Sequence, residues 1–227
     1  MLDLATPDTV VNLTVHGIGR PPRDVAADEE ATWVSVDQFE LMLDAVADRP
    51  DVHITLDDGN ASDVEIALPR LRERGRTADF FVLAGLLGHS GRLDADGVRE
   101  LQRAGMGIGS HGWAHRDWRR LDPRQASEEI GDACRVLTEL IGQPVSQVAI
   151  PFGSYDRHVL RRLRQAGVSR AYTSDGGPAR RTSWLQPRTS LRRDMDTEWL
   201  RHVLHGPAAL PVRARRLAAR LAKRMRG

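Results

Sequence analysis

Seven short runs rich in β-branched and aromatic residues, separated by helix-patterned stretches, restrict this chain to very few architectures. The runs cover residues 10–16, 52–57, 78–83, 106–110, 147–152, 169–173 and 187–191. The stretches between them carry recognisable helix starts and stops. Ser35 stands three residues before Gln38, a capping box ahead of the apolar run 39–46. Asp122 and Pro123 open a helix that the pattern carries to Ile141, with Gly142 as its stop. Further helices are predicted over 61–74, 94–104, 156–166 and 197–205. Repeated strand–helix units bring successive strands parallel and cover the sheet with helices. The expected fold is therefore α/β, a distorted or incomplete (β/α) barrel of about seven parallel strands, with an open sheet as the alternative. A length of 227 residues, 41% of them hydrophobic, suffices for one sizeable core, and residues 1–206 read as a single domain.

Charge is unevenly distributed. Residues 207–227 hold seven basic side chains (Arg213, Arg215, Arg216, Arg220, Lys223, Arg224, Arg226) and no acidic one. Taking those seven from the formal +2 of the whole chain leaves −5 on residues 1–206. A body of that sign is a poor partner for nucleic acid, whose affinity comes largely from phosphate neutralisation. In the tail, Leu210, Ala214, Leu217, Leu221 and Met225 fall near helical spacing, which predicts a basic amphipathic helix over 207–227. Two destinations are open to it: an anionic membrane surface, or the body, with the leucines packed and the arginines solvated. Cys134 is the single cysteine, so no internal disulfide forms, and it falls in a predicted helix beside no base, as an inert thiol does. The first residues lack the basic flank and apolar run of a secretory signal. No stretch nears the roughly 20 apolar residues of a membrane span. The expectation is a cytoplasmic protein, peripheral at the inner membrane face if the tail binds lipid.

Polar, glycine-containing clusters follow four of the predicted strands: HGIGR at 16–20, LDDGN at 56–60, GSHGWAH at 109–115 and PFGSYD at 151–156. In parallel sheets and barrels functional groups gather at the carboxyl ends of the strands, so these loops are expected to meet. Asp57 and Asp58 point to opposite faces of an ideal strand, but a turn at Gly59 brings both into one pocket. One can then ligate a metal while the other moves protons; a solvated Asp-Asp-Gly turn is the alternative. His111 and His115, four apart, suit a divalent ion such as zinc. Gly112 stands where a zinc peptidase needs glutamate and argues against a regular helix, so the pair must converge from a loop. Pro151 ends its strand's ladder, and exposed N–H groups at Phe152 and Gly153 suit an oxyanion. A plain strand-to-helix turn capped by Ser154 or Asp156 is the alternative.

In this order, TLDDG (55–59), HGWAH (111–115) and AIPFG (149–153) resemble the motifs T-F-D-D-G, H-[ST]-x-x-H and R-x-P-[FY]-G of the polysaccharide deacetylase (NodB homology) family. The resemblance covers roughly residues 51–191. It implies a distorted (β/α) barrel and metal-dependent removal of N- or O-linked acyl groups from carbohydrates. Carried over by position, it implies Asp57 as general base and Asp58, His111 and His115 as ligands of one divalent ion, most simply Zn2+. Trp113, Trp118 and Tyr155 would then offer rings for stacking on an acetylated sugar, unless they seal the core. With a membrane-bound tail, a lipid-linked or exopolysaccharide precursor becomes an attractive substrate.

The departures from the family pattern are as informative. Gly112 stands where the family has a Ser or Thr that braces the metal loop. Ala149 stands where it has an arginine paired with the base, and Arg188, at the start of the last predicted strand, is the candidate to supply that charge instead. Of the fourth motif, an Asp and a Trp, only Trp184 offers a loose match. The family's late L-x-H, source of the general acid, finds only His205 in a predicted helix. His16, ending the first strand, matches the permuted strand order of relatives resembling the poly-N-acetylglucosamine deacetylases and is taken as the general acid, with a strand-capping histidine as the alternative. His53, His89, His158 and His202 lack supporting neighbours. Two other functions stay open: hydrolysis of a non-sugar amide such as an imide or formamide, and a catalytically silent carbohydrate-binding relative.

Overall fold

β1 (Thr9–Val15) governs the architecture, because it is the strand on which the sheet closes. The computed structural model describes residues 8–21, 27–205, 218–219, 221–223 and 225. After β1 come β2 (Gly17–Ile18), α1 (Ala27–Glu30), β3 (Trp33–Val34), α2 (Val36–Ala45), β4 (Val52–Asp58), α3 (Leu68–Glu73), β5 (Ala78–Val82), α4 (Ala95–Arg103) and β6 (Gly107–Ser110). Then follow α5 (Pro123–Ala126), α6 (Ala133–Ile141), β7 (Gln147–Ala149), α7 (Arg157–Gln165), β8 (Arg170–Thr173), β9 (Ala179–Arg180), β10 (Leu185–Ser190) and α8 (Thr197–His205).

Seven strands pair in parallel in the order β1-β4-β5-β6-β7-β8-β10, and β10 returns to β1 through Asn12↔Arg188, Leu13↔Thr189 and Thr14↔Ser190. The barrel is closed. The expected (β/α) barrel of about seven parallel strands is thus found, and the open-sheet alternative is set aside, since the outermost strands satisfy their backbone groups on each other and leave no edge among the seven. β9 adds antiparallel to the start of β1. The thinnest joint is β6 to β7, with one registered pair, Ser110↔Val148. The run read as a strand over 147–152 stops at Ala149, because Pro151 has no N–H to give and Pro151–Gly153 coils into a 3-10 turn.

The two-residue period of the strands divides their side chains between two cores. Leu13, Ile54, Leu56 and Phe80 face outward onto Phe39, Met42 and Leu43 of α2, Leu71 of α3 and Leu101 of α4. The inward face is largely polar: Asn12 donates to Gln186 (3.0 Å), His53 meets Asn12 (3.1 Å), and Thr55 donates to Thr14 (3.1 Å). α2 begins with the expected Ser35–Gln38 capping box, and Asp122 forms a second one with Gln125. The two helices expected over 61–74 and 123–141 are each interrupted by a π turn, Asp63–Ala67 and Ser127–Asp132. Each widened turn carries a fully buried carboxyl, Asp63 and Glu129.

The basic helix expected over 207–227 lies mostly outside the described residues. Those described within it are helical, and Lys223 Nζ donates to the Gly153 carbonyl (3.1 Å) and to Asp175 (2.6 Å). No helix among the described residues is long and apolar enough to cross a membrane.

Gly109 tests the barrel interior at its thinnest joint. A Cβ there would stand 2.4 Å from the Phe81 ring and 3.0 Å from the Gln147 carbonyl. Gly109→Ala is expected to cost about 1–3 kcal/mol by overpacking, read as a lower midpoint in urea denaturation; an unchanged midpoint would show that the strands can separate freely there.

Candidate active site

The site begins where β4 ends. Asp57, facing into the barrel, is fully buried and gripped in a two-pronged pair by Arg188 of β10: Nη1 donates to Oδ1 (2.7 Å) and Nη2 to Oδ2 (2.6 Å). The guanidinium also donates to Thr55 Oγ1 (3.1 Å) and lies 5.4 Å from the Phe81 ring centroid and 5.7 Å from that of Tyr172. Burial pushes the Asp57 carboxyl up, but the charge of Arg188 and its hydrogen bonds outweigh it and bring the pKa down to about 2. Asp58 would face away from Asp57 in a regular strand. It adopts φ +77° instead, and Gly59 follows at +63°, so both carboxyls reach the mouth.

Asp58 Oδ1 is buried with no hydrogen-bond partner among the described residues. His111 Nε2 lies 3.4 Å from it and His115 Nε2 3.7 Å, and one ligand atom from each of the three residues lies within 4.8 Å of the others. His111 Nδ1 is 2.9 Å from the Ala149 carbonyl, which can only accept. That nitrogen therefore carries the proton, and Nε2 presents its lone pair to Asp58. Burial, the largest cause, holds His111 down to about 3 and His115 below its ordinary value, so the rings stay neutral, as metal ligands must be. Burial likewise pushes Asp58 up to about 6. An orphaned carboxylate oxygen facing two neutral imidazoles fits a divalent ion of zinc's ligand preference.

His16 follows β1 directly. Its Nδ1 is buried without a hydrogen bond among the described residues, and it lies close enough for its charge to lower both Asp57 and Asp58. Phe152 adopts φ +58°, is 61% exposed, and places its ring 4.4 Å from that of His115. The Gly153 carbonyl is taken by Lys223. The other aromatic candidates lie elsewhere. Tyr155 is 1% exposed with its hydroxyl on Asp175 (2.7 Å), and Trp118 is equally buried, so neither ring has a face open to a sugar. Trp113 is half-buried, its ring lying over Gly85. Trp184 sits at the opposite end of β10, bonded to the Val168 carbonyl (2.8 Å), and His205 is exposed beside Arg49. Burial raises the Cys134 thiol pKa, in keeping with an inert thiol.

Several contributors were not singled out from the sequence. Arg92, in the segment between β5 and α4, donates to the Asp58 carbonyl (3.2 Å) and to Asn60 Oδ1 (2.9 Å), while Asn60 Nδ2 donates to the His16 carbonyl (2.6 Å). Glu29 of α1 stands 3.9 Å from His115 Nδ1. Glu129 accepts from the backbone between the two site histidines. Asn60 closes the LDDGN cluster without having been given a role, and Arg92, Glu29 and Glu129 belong to no local motif; the one hint was Gly112, which lacks the hydroxyl that braces this loop in the family pattern.

The polysaccharide deacetylase family model matches residues 44–171. The polysaccharide deacetylase homologue YxkH of Bacillus subtilis (strain 168) is 28% identical over 130 residues, 57% of this chain and 47% of that protein. The chain thus spans about half the length of this relative. The deacetylase PplD of Streptococcus pyogenes, solved in complex with acetate, superposes with a TM-score of 0.75 at 21% identity, covering 88% of this chain and 100% of that one. IcaB from Ammonifex degensii gives 0.72 at 20% identity, over 88% of this chain and 97% of that one. At these identities the superpositions establish a shared fold, the (β/α) barrel.

Asp58 offers a pH test. Its carboxyl titrates near 6 in the fold against 3.8 in the unfolded chain, so the stability that its protonation contributes is full below about pH 4 and is lost as pH rises through 6. In chelator-treated protein, Asp58→Asn is expected to gain roughly 3 kcal/mol over wild type at pH 7.5 and little at pH 4, measured by urea denaturation. Equal differences at the two pH values would contradict the buried, orphaned carboxylate.

Proposed function

The chain belongs to the polysaccharide deacetylase family, and we propose that it is a metal-dependent deacetylase that hydrolyses N-acetyl, or O-acetyl, groups on a carbohydrate. The observation that carries this reading is the separation of two adjacent carboxylates into two environments. Asp58 has an orphaned oxygen beside two imidazoles, whereas Asp57 is saturated on one side by Arg188 and stays outside that set.

Asp58, His111 and His115 are assigned as the ligands of one divalent ion, zinc by the donor set. When bound, such an ion supplies Lewis-acid polarisation of the acyl carbonyl and acidifies water. Asp57 is assigned as general base: it accepts the proton of the attacking water as the water oxygen bonds to the acyl carbon. Arg188 keeps Asp57 ionised and holds both its oxygens, so the carboxylate cannot swing away to become a fourth ligand. The backbone N–H of Phe152 is assigned to the developing oxyanion; that of Gly153, expected to share the role, is instead donated to the Ile150 carbonyl (3.0 Å) within the 3-10 turn. His16 is assigned as general acid: it protonates the sugar nitrogen or oxygen as its bond to the acyl carbon breaks, because an unprotonated amine leaves poorly. The products are acetate and the free amine or hydroxyl.

Residues 1–206 make the deacetylase domain in this reading, with 207–227 as a basic appendage. A lipid-linked or exopolysaccharide precursor at the cytoplasmic membrane face is the proposed substrate, supported by the acid-free charge of that segment and by the exposure of Leu221 and Met225. A second reading is hydrolysis of a non-sugar amide by the same residues. It is favoured by the mouth itself, where Phe152 and half-buried Trp113 are the site aromatics left with exposed surface once Tyr155 and Trp118 are buried. A panel of acetylated glycans beside imides and formamides separates the two.

His111→Ala is expected to abolish zinc binding in isothermal titration. Asp57→Asn should retain zinc yet lose roughly 10²–10⁴ in kcat; wild-type turnover in that variant rules the scheme out. His16→Ala should lower kcat by about 10² or more at unchanged zinc occupancy, and an unaltered kcat removes it as the acid. In liposome co-sedimentation, the full chain should bind anionic vesicles that a truncation at His205 does not, and identical partitioning would remove the membrane reading.

A further inference from the structure

We propose that Glu129 is a positioning residue that holds the His111–His115 loop in ligand geometry, a carboxylate from the neighbouring helix replacing the hydroxyl brace that Gly112 lacks. The inference rests on the reading of Asp58, His111 and His115 as metal ligands.

Glu129 sits in the π turn Ser127–Asp132 and is fully buried. Its Oε2 accepts from the Trp113 N–H (3.1 Å) and from Trp118 Nε1–H (3.3 Å), and its Oε1 accepts from the Ala114 N–H (2.9 Å). Arg116 Nη1 stands 3.7 Å from Oε1. Two successive backbone N–H groups of the three lying between the two imidazoles thus converge on one anion and fix the curvature of the loop, while the third, that of Gly112, is donated to Ser110 Oγ (3.1 Å). That curvature is what turns His115, at φ +58°, back towards His111, so that the ring centroids are 4.9 Å apart.

Positions 112 and 129 are complementary. Gly112 has φ +96°, and a Cβ built on it would lie 2.4 Å from Glu129 Oε2. A serine at 112 would therefore meet both backbone strain and the carboxylate, while without Glu129 the N–H groups of Trp113 and Ala114 would lose their acceptor. The brace has moved from the loop's own side chain to a helix packed beside it. A buried carboxylate is costly to desolvate, and an apolar residue would fill a purely structural position at less cost. Outer partners that orient metal ligands typically change metal affinity by about 10–100-fold when removed.

The test uses the full chain stripped with chelator. In Glu129→Gln the volume is kept and one acceptor becomes a donor; in Glu129→Asp the charge is kept but the reach is shortened. Both are expected to keep their far-UV circular dichroism, to bind zinc about 10–100-fold more weakly in competition with a chromogenic chelator, and to alter the visible bands of the cobalt-loaded protein. Either variant, folded, with wild-type zinc affinity and cobalt bands overturns the proposal. Weaker zinc binding with unchanged cobalt bands also overturns it, because general destabilisation would do that without moving the ligands. His111→Ala run alongside separates the two levels. Zinc lost there but retained in the Glu129 variants overturns the role of Glu129 alone, whereas zinc bound normally in His111→Ala overturns the ligand set and this inference with it.

Discussion

The buried pair of Arg188 and Asp57 is the interaction on which the rest of the site depends. A lone carboxylate inside a barrel would take up a proton rather than stay charged. With both its oxygens on one guanidinium, Asp57 instead titrates near 2 and is ionised at any working pH. Removing one member of such a pair typically costs about 3–5 kcal/mol, because the survivor is left charged and unpaired. The pair also ties chemistry to topology. Arg188 on β10 reaches Asp57 on β4 across β1, whose Asn12 is registered with Arg188 on one side and with His53 on the other. Barrel closure is thus a condition for the charge state of the site, and the arginine beside Asp57 comes from β10 while Ala149 stands two positions before Pro151.

Strain is concentrated at the same mouth. Among the described residues the non-glycine side chains with left-handed backbone are Asp58, His115 and Phe152, one from each of three loops. Such conformations cost of the order of 1–3 kcal/mol each and persist only where the surroundings over-determine them. Here the determinants are visible. Arg92 holds the Asp58 carbonyl, Glu129 holds the backbone just before His115, and the turn carrying Phe152 is closed by Pro151 and tied to Lys223 through Gly153. The π turns belong to the same pattern, since each interrupts a helix at a buried carboxyl facing the site region. In Asp63 that carboxyl has no partner among the described residues and is pushed well above the usual range by burial and by the charge of Asp58.

Much of this was legible in local pattern. The seven strand runs, the capping box at Ser35 and the stop at Gly142 are properties of a few adjacent residues, and each reappears in the fold. The triplet Asp58, His111 and His115 could be nominated because each residue sits in a short motif at a strand end. The aromatic candidates were less tractable: whether Tyr155 or Trp118 faces a ligand or the core depends on what packs over it, and Asp175 and Glu129, far apart in the chain, decided both.

The sequence by itself therefore determined the repeating units, their parallel arrangement and which loops would meet at one end of the strands, because hydrophobic period, caps and turn residues act over fewer than ten positions. Tertiary structure decided closure of the barrel, the source of the arginine beside Asp57 and the brace of the histidine loop. Those contacts join Asp57 to Arg188, 131 residues apart, and Trp113 to Glu129 in a helix whose π turn no local pattern announces. Coulomb attraction and hydrogen bonding are set by distance in space, and only the packed fold brings such distances about.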